Sequence, residues 1–446
     1  MARSLLIEAA WIVPVDPQFN IIKNGAILIR DDKILEVGRI GEISADGAEV
    51  RSFPHHVVIP GLVNAHTHVV GAVFRGLLED RRDGFYGFAL PMEQFLDADA
   101  SYALSRLGIG ELQLAGCTAM NDMFHYSEET LRAAQDAGIR AQVAHKVFDT
   151  DLTKLDTGRH ITDKSLGLRR LQENIDLYQV WNAKAEGRLE VRFGAHAADT
   201  CSPELLGSIR VEAEQRSAGI HTHVAQTTLE RDFIQETYGC GSVEHMEHHD
   251  MLGPATIAVH LLFADDVGIE TLASTGTGVA HCPAGVSNVG EFGPLREIYD
   301  AAIPVGWGTD WTRMDPWDAM RFGIAGLRLS EGENYLLNAR EALWHFTMGS
   351  AEIMRWSEKL GSLEAGKKAD LTIVDVDQPH LSPMYDPVTV LVYNAGRKDV
   401  THVMVDGKFT VEDGKLLWAD HHDLVADAQS VSEGVWSRGG LAPLPS

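Results

Sequence analysis

Four cysteines in 446 residues, Cys117, Cys201, Cys240 and Cys282, are too scattered to cross-link a chain of this length, and none forms a C-x-x-C pair. They read as reduced thiols, so a cytoplasmic location is expected. Basic residues are scarce too: 38 Lys and Arg stand against 64 Asp and Glu, a formal net charge of −26. Such a chain offers no electrostatic footprint for phosphate backbones or anionic bilayers, which excludes nucleic acid and membranes as expected partners. No apolar run approaches the roughly 20 residues that span a bilayer. The N-terminal MARSLLIEAAWIVPVDPQ, interrupted by Glu8 and Asp16, lacks the three-part pattern of a secretory leader. What is present is globular, with 45% hydrophobic and 23% charged residues, and the one excess is histidine, of which there are 20.

Residues 4–60 hold short β-type runs, SLLIEAAWIVPV, GAILIRDDKILEVG and EVRSFPHHVVIPG, divided by Gly, Pro and Asp. The same texture returns after Lys359 in ADLTIVDVD, VTVLVYNAG and VTHVMVDGKFTVEDGKLL, with Asp406-Gly407 as a two-residue hairpin turn. Between them, apolar runs alternate with helical patterns that open on Asp or Ser and close near Gly, as in DADASYALSRLGIGELQLAG and SPELLGSIRVEAEQRSAG. Eight candidate strands follow one another: LVNAHTH, CTAMNDM, RAQVAHKVF, LEVRFGAHA, GIHTHVAQ, TIAVHLL, TGVAHCP and IPVGWGTD. An open doubly wound sheet would carry a Gly-rich phosphate turn after its first strand, and none is present. The expected class is α/β, a (β/α)8 TIM-type barrel over 61–358. Segments 1–60 and 359–420 would form a composite β-sandwich domain, and 421–446 a C-terminal extension.

In such a barrel the working residues stand at the C-terminal ends of the strands, which is where this chain places its histidines. The first strand ends in His66-Thr67-His68, and the period of two turns both imidazoles to one side. The fifth ends in His221-Thr222-His223, the sixth carries His260, the seventh His281, and the eighth ends in Thr309-Asp310. Three imidazoles and a carboxylate make a mononuclear site for one divalent transition metal, with a position left for water. Each residue also has an ordinary reading. A single buried histidine such as His221, His145 or His125 is commonly just hydrogen-bonded, and Asp310 could cap the next helix. The His-rich Glu244–Asp250 stretch reads as a solvated helix face.

The stretch PGLVNAHTH, followed by RGLLED, HTHVAQ, TGTGVAHCPAGVSN and GWGTD, resembles the amidohydrolase superfamily. It is most similar to the branch of cyclic-amine deaminases and chlorohydrolases that includes S-adenosylhomocysteine deaminase, guanine deaminase and the atrazine-degrading enzymes. The resemblance implies His66, His68, His223 and Asp310 as metal ligands, with zinc first and iron, cobalt or manganese as alternatives. It implies that His260 polarises the substrate, although Phe263 stands where the family often has a second histidine. His196 in GAHAADTCSPELL and Glu93 in ALPMEQ match substrate-contacting positions, and His281 is a further candidate contact. Lys146, near the end of the third strand, resembles in kind the carboxylated lysine that bridges two metals in other branches of the superfamily. That lysine belongs on the fourth strand, so one metal is expected.

Two departures bear on function. Three residues after the ligand His223 the family usually has a Glu that shuttles a proton from water to the substrate nitrogen, and this chain has Gln226. A carboxamide has the same shape and no proton to exchange near neutrality. Either the shuttle lies elsewhere, or the reaction does without it, or the residue is an inactivating replacement. After Asp310 come Trp311 and Arg313, expected to line the pocket as a flat apolar wall and as donors for a substrate oxygen; Arg313 could instead pair with Asp315 or Asp318. The expected activity is hydrolysis by a metal-bound hydroxide, with Asp310 handling the proton, first as a deaminase of an N-heterocycle. The alternatives are an amide, urea or carbamate hydrolase or chlorohydrolase of a small molecule, and a noncatalytic metal-binding homologue. The expected partners are a small-molecule substrate and further copies of the chain, as a dimer or tetramer.

Overall fold

The computed structural model describes residues 4–44, 47–285 and 290–441. Four strands open the chain: β1 (Ser4–Ile12), β2 (Ile22–Arg30), β3 (Lys33–Arg39) and β4 (Glu49–Pro60). The barrel strands follow as β5 (Leu62–Thr67), β6 (Cys117–Phe124), β7 (Arg140–His145) and β8 (Leu189–Ala197), then β9 (Ile220–Val224), β10 (Thr256–His260), β11 (Gly278–His281) and β12 (Val305–Trp307). The chain returns to the terminal sheet with β13 (Leu371–Asp375), β14 (Val400–Val405), β15 (Lys408–Glu412) and β16 (Lys415–Leu416).

All eight middle strands fall where the apolar runs place them, and they pair in chain order, each parallel to the next. Every residue of β5, β6 and β7 is buried, because such strands carry side chains inward on one face and against helices on the other. The ring closes where the chain beyond β12 meets β5. Thr309 and Asp310 both donate their N–H to the His66 carbonyl, at 3.0 and 3.1 Å, and His68 N–H donates to the Asp310 carbonyl at 3.1 Å. Gly308 permits this approach, since a Cβ there would stand 2.4 Å from the His66 oxygen. The outer helices begin on the expected caps: Asp97 accepts from Ala100 N–H ahead of Ala98–Leu114, and Ser202 from Leu205 N–H ahead of Pro203–Gln215.

The terminal segments join in one sheet, ordered β16-β15-β14-β13-β4-β1-β2-β3, with β1 and β4 parallel and all other neighbours antiparallel. The expected sandwich is thus a single sheet folded over its own core of Ile7, Ile27, Ile34, Phe53 and Ile373. Its folding brings separate strands together: Ile34 N–H donates to the Lys367 carbonyl at 2.9 Å, Ala369 N–H to that of Asp32 at 2.8 Å, and Lys368 pairs with Asp32. Asp406 and Gly407, with φ of 49° and 70°, form the tight turn between β14 and β15. Within the described residues no helix is long and apolar enough to cross a membrane. The helix His421–Arg438 packs on Ala98–Leu114, with Trp436 Nε1 donating to the Val73 carbonyl at 2.8 Å.

The sheet meets the barrel at the N-terminal ends of its strands, which leaves the opposite mouth free for chemistry. Gly61 N–H, just before β5, donates to the Asp370 carbonyl. At the start of β7, buried Arg140 forks onto Asp370 at 3.0 and 3.1 Å and also bonds Asp406. Arg140→Ala would leave buried Asp370 without its cation, while Asp406 keeps Lys368 at 3.2 Å, and breaking a buried pair on one side costs about 3–5 kcal/mol. Equilibrium urea unfolding should show a loss of that size, and one under about 1 kcal/mol would mean that water replaces the guanidinium.

Candidate active site

Strand alternation delivers His66 and His68 to the barrel mouth together, their ring centres 4.6 Å apart and nearly perpendicular. His223 from β9 stands 5.0 and 5.4 Å from them, and His260 from β10 lies 5.3 Å from His223. Asp310 completes the group, with Oδ1 3.6 Å from Nε2 of both His66 and His68. The ligand atoms of His66, His68 and Asp310 lie within 4.8 Å of one another, and so do those of His66, His223 and His260.

The outward ring nitrogens show which lone pairs face inward. His68 Nδ1–H donates to the Met123 carbonyl, and His223 Nδ1–H to the His196 carbonyl at 2.6 Å. His66 Nδ1 lies 2.8 Å from His221 Nε2, so a proton on His66 Nδ1 makes His221 its acceptor. Each bond leaves an Nε2 lone pair for the centre, and buried His66 Nε2 has no hydrogen-bond partner among the described residues. Burial pushes the pKa of His66 and of His68 down to about 3, so both rings are neutral at pH 7. Neutral imidazoles with committed outer nitrogens and one carboxylate form a donor set that fits a borderline divalent metal. The backbone is strained at the same place: His260 and Asp310 hold φ of 80° and 61°. Thr67 Oγ1–H donates to the Asp310 carbonyl at 2.9 Å and helps hold that conformation.

The cavity over these rings is walled by Phe85, Phe124, Leu262 and Trp311. Trp311 packs edge-on to Phe74 and Phe85, both at 5.5 Å, and its Cβ would meet a Cβ on Gly71 at 2.6 Å. His196 lines the cavity, with Nδ1–H donating to Thr200 Oγ1 at 2.9 Å, which turns Nε2 toward the opening. Gln226 lines it as well, and its buried amide nitrogen has no partner among the described residues. Glu230 does not supply a carboxyl in its place. It accepts the backbone N–H of Ala225 and Gln226 at 2.6 and 3.0 Å, fixing the loop, while burial and then Asp199 push its pKa up to about 8.

Glu93 reaches the cavity but is engaged. Lys146 Nζ donates to its two oxygens at 2.8 and 2.6 Å, and His125 Nε2 lies 2.8 Å from one of them. Burial raises the Glu93 pKa, yet Lys146 and His125 outweigh it and hold the carboxyl at about 2. Lys146 is therefore an ammonium in an ion pair and belongs to neither group of possible metal ligands.

Two expected contacts stand elsewhere. Arg313 is exposed, with its guanidinium 5.4 Å from the Phe322 ring centre, in an adjoining cleft that shares Gly285 and Trp311 with the cavity and holds Arg75 and Arg397 beside Glu79, Glu111 and Asp318. Water and the carboxylates of that cleft solvate the exposed charge. His281 packs against Phe292 and Trp307, behind the wall; the chain turns after β11 so that Gly285 lines the cavity instead. The Glu244–Asp250 stretch falls mainly in the helix Ser242–His248, where His245 stacks on Tyr238, and it contributes to neither metal-type group. Pairwise roles are not readable in the sequence: His221 orienting His66, and His125 with Lys146 holding Glu93. The position of Lys146 at a strand's C-terminal end is the available signal.

Trp311→Ala is expected to change substrate preference while metal content stays intact, because the ring lines the cavity and is not a ligand. kcat/KM over a panel with matched leaving groups measures this, and ratios all within about twofold would remove Trp311 from recognition.

The model of the amidohydrolase family matches residues 57–410. A 5′-deoxyadenosine deaminase of Methanosarcina barkeri is 32% identical over 443 residues, covering 97% of this chain and 99% of that one. A 5-methylthioadenosine/S-adenosylhomocysteine deaminase of Symbiobacterium thermophilum is 31% identical, covering 95% and 97%. Among solved structures, a zinc-bound adenosine deaminase from Xanthomonas campestris superposes with a TM-score of 0.88 at 24% identity, over 98% and 99% of the two chains. A zinc-bound atrazine chlorohydrolase from Arthrobacter aurescens gives 0.86 at 23%, over 96% and 100%. These structures share the barrel and its flanking sheet, and with a family match spanning most of the chain and relatives above 30% identity end to end, the protein belongs to the amidohydrolase family, hydrolases of carbon–nitrogen bonds.

Proposed function

We propose that this chain is an aminohydrolase that deaminates an N-heterocycle, with one divalent metal, zinc first, held by His66, His68, His223 and Asp310. The observation that carries this reading is the convergence of three Nε2 lone pairs whose Nδ1 atoms are committed to Met123, His196 and His221. When bound, the metal supplies a water acidic enough to act as nucleophile at neutral pH. Asp310, beside His66 and His68, takes the proton that water gives up and, since Gln226 cannot, returns it to the departing nitrogen, which leaves as ammonia. Half-buried His260, its pKa pushed down to about 4 by desolvation, is a neutral donor that polarises the substituent on the electrophilic carbon. Phe85, Phe124 and Trp311 exclude bulk water and suit a flat ring, and His196 Nε2 offers it an acceptor. Deaminases of adenine nucleosides among the relatives support the reaction type.

The unpartnered amide of Gln226 favours one second reading, hydrolysis of an amide, urea, carbamate or chlorinated heterocycle, whose leaving group needs no proton from that position. Zinc-loaded protein should release ammonia from at least one aminopurine, aminopyrimidine or aminotriazine, and a chelator should stop it. Release of amine or chloride without ammonia would select the second reading. Release of neither would overturn both.

A further inference from the structure

One charged arrangement in the cavity wall is used neither by the candidate ligands nor by the proposed chemistry. Lys146, just after β7, and Glu93 face each other there, both buried and both lining the cavity. Both oxygens of Glu93 are taken by Lys146, and one also by His125, before any ligand arrives. An ammonium has three N–H donors. Two go to Glu93, and among the described residues no acceptor takes the third. Around the charge stand the Phe124 ring, its centre 5.5 Å away, and the His196 and His68 rings, whose protonation it disfavours.

The ribose of a nucleoside presents two adjacent hydroxyls, which a carboxylate with free oxygens would bind as a strong acceptor. Here that acceptor is occupied. Freeing it would leave a buried ammonium without its counter-charge, which is strongly unfavourable. The unused N–H on the same wall calls for an oxygen acceptor instead. Arg313, the donor expected from the sequence, faces away; Lys146 stands where one is needed.

We propose that Lys146 sets the substrate class: it pre-empts Glu93 and offers its remaining N–H to an oxygen, so the cavity takes a flat heterocycle bearing a carbonyl or carboxylate rather than a nucleoside with a ribose diol. This rests on the reading that the cavity is where an N-heterocycle is hydrolysed.

The test uses zinc-loaded protein, calorimetric binding and kcat/KM. Aminopurine, aminopyrimidine and aminotriazine rings each carry a carboxymethyl group, its primary amide, a 2,3-dihydroxypropyl group or a propyl group. The carboxymethyl and amide members should bind about tenfold tighter than the propyl ones (the oxygen advantage), and the diols no more than about threefold tighter. An advantage confined to the carboxymethyl member assigns an acid, and one shared with the amide assigns a carbonyl. Lys146→Met should erase the oxygen advantage and, by freeing Glu93, raise the diol preference to about tenfold. Because that change leaves Glu93 without its cation, the double variant Lys146→Met/Glu93→Gln is measured beside it, with circular dichroism and zinc content as checks on folding. The double variant should lose the oxygen advantage and gain no diol preference. A tenfold diol preference in the unaltered protein, or an oxygen advantage that survives in the variants, overturns the proposal. A ring that binds without being hydrolysed overturns the reaction and still reads Lys146 through binding. Binding of no ring in any class overturns both.

Discussion

His66→Ala and Asp310→Ala should each lower bound metal from about one equivalent to near zero and take the hydrolytic activity with it, since a mononuclear site has no spare ligand. His66 is the more severe loss: it belongs to both groups of possible ligand atoms, and its buried Nε2 has no hydrogen-bond partner among the described residues. His221→Ala gives a graded companion. It removes the acceptor of His66 Nδ1–H without touching a proposed ligand. Loss of such an orienting partner costs about 10–100-fold in metal affinity. Elemental analysis after dialysis, with a competition titration against a chelator, reads all three variants. Full metal and full turnover in the His66 and Asp310 variants would sink the ligand assignment.

The strands were legible because a barrel strand is a short apolar run with turn signals on both sides, and all eight such runs became strands in chain order. Period two likewise foretold that His66 and His68 share a side, and their rings do stand 4.6 Å apart. What period cannot supply is the partner across space. Lys146 and Glu93 are 53 positions apart, and His66 and His221 are 155 apart. Nothing local to either residue announces the other. Arg313 failed for a different reason: the loop after β12 has no repeat to set its direction, and solvation decided it. The terminal segments showed most of their strands, but the β-type run VTVLVYN is the helix Pro387–Asn394, opened by Pro387 and capped by Asp386, and the union of the two segments depends on the pairing of β4 with β13, distant in sequence.

Gln226→Glu is expected to raise turnover on amino-heterocycles by about 10²–10⁴-fold, the usual worth of a well-placed general acid or base. The geometry is already prepared: the side chain lines the cavity, and Glu230 holds the backbone at Ala225 and Gln226 through two N–H bonds. Only the proton is missing, because the amide has no hydrogen-bond partner among the described residues and cannot exchange a proton near pH 7. A carboxyl at this point would take a proton from water and deliver it to the departing nitrogen, so the variant's pH–rate profile should gain a limb that the unaltered protein lacks. If the native reaction is instead hydrolysis of an amide, carbamate or chloride, the substitution adds a charge that the reaction does not use. Native turnover should then stay level or fall while ammonia release remains absent. The decisive comparison is therefore between substrates: the ratio of ammonia release to amine or chloride release, in Gln226 and Glu forms of the same zinc-loaded protein. A Glu form that is inert on every aminopurine, aminopyrimidine and aminotriazine, while retaining its metal, would end the deaminase reading.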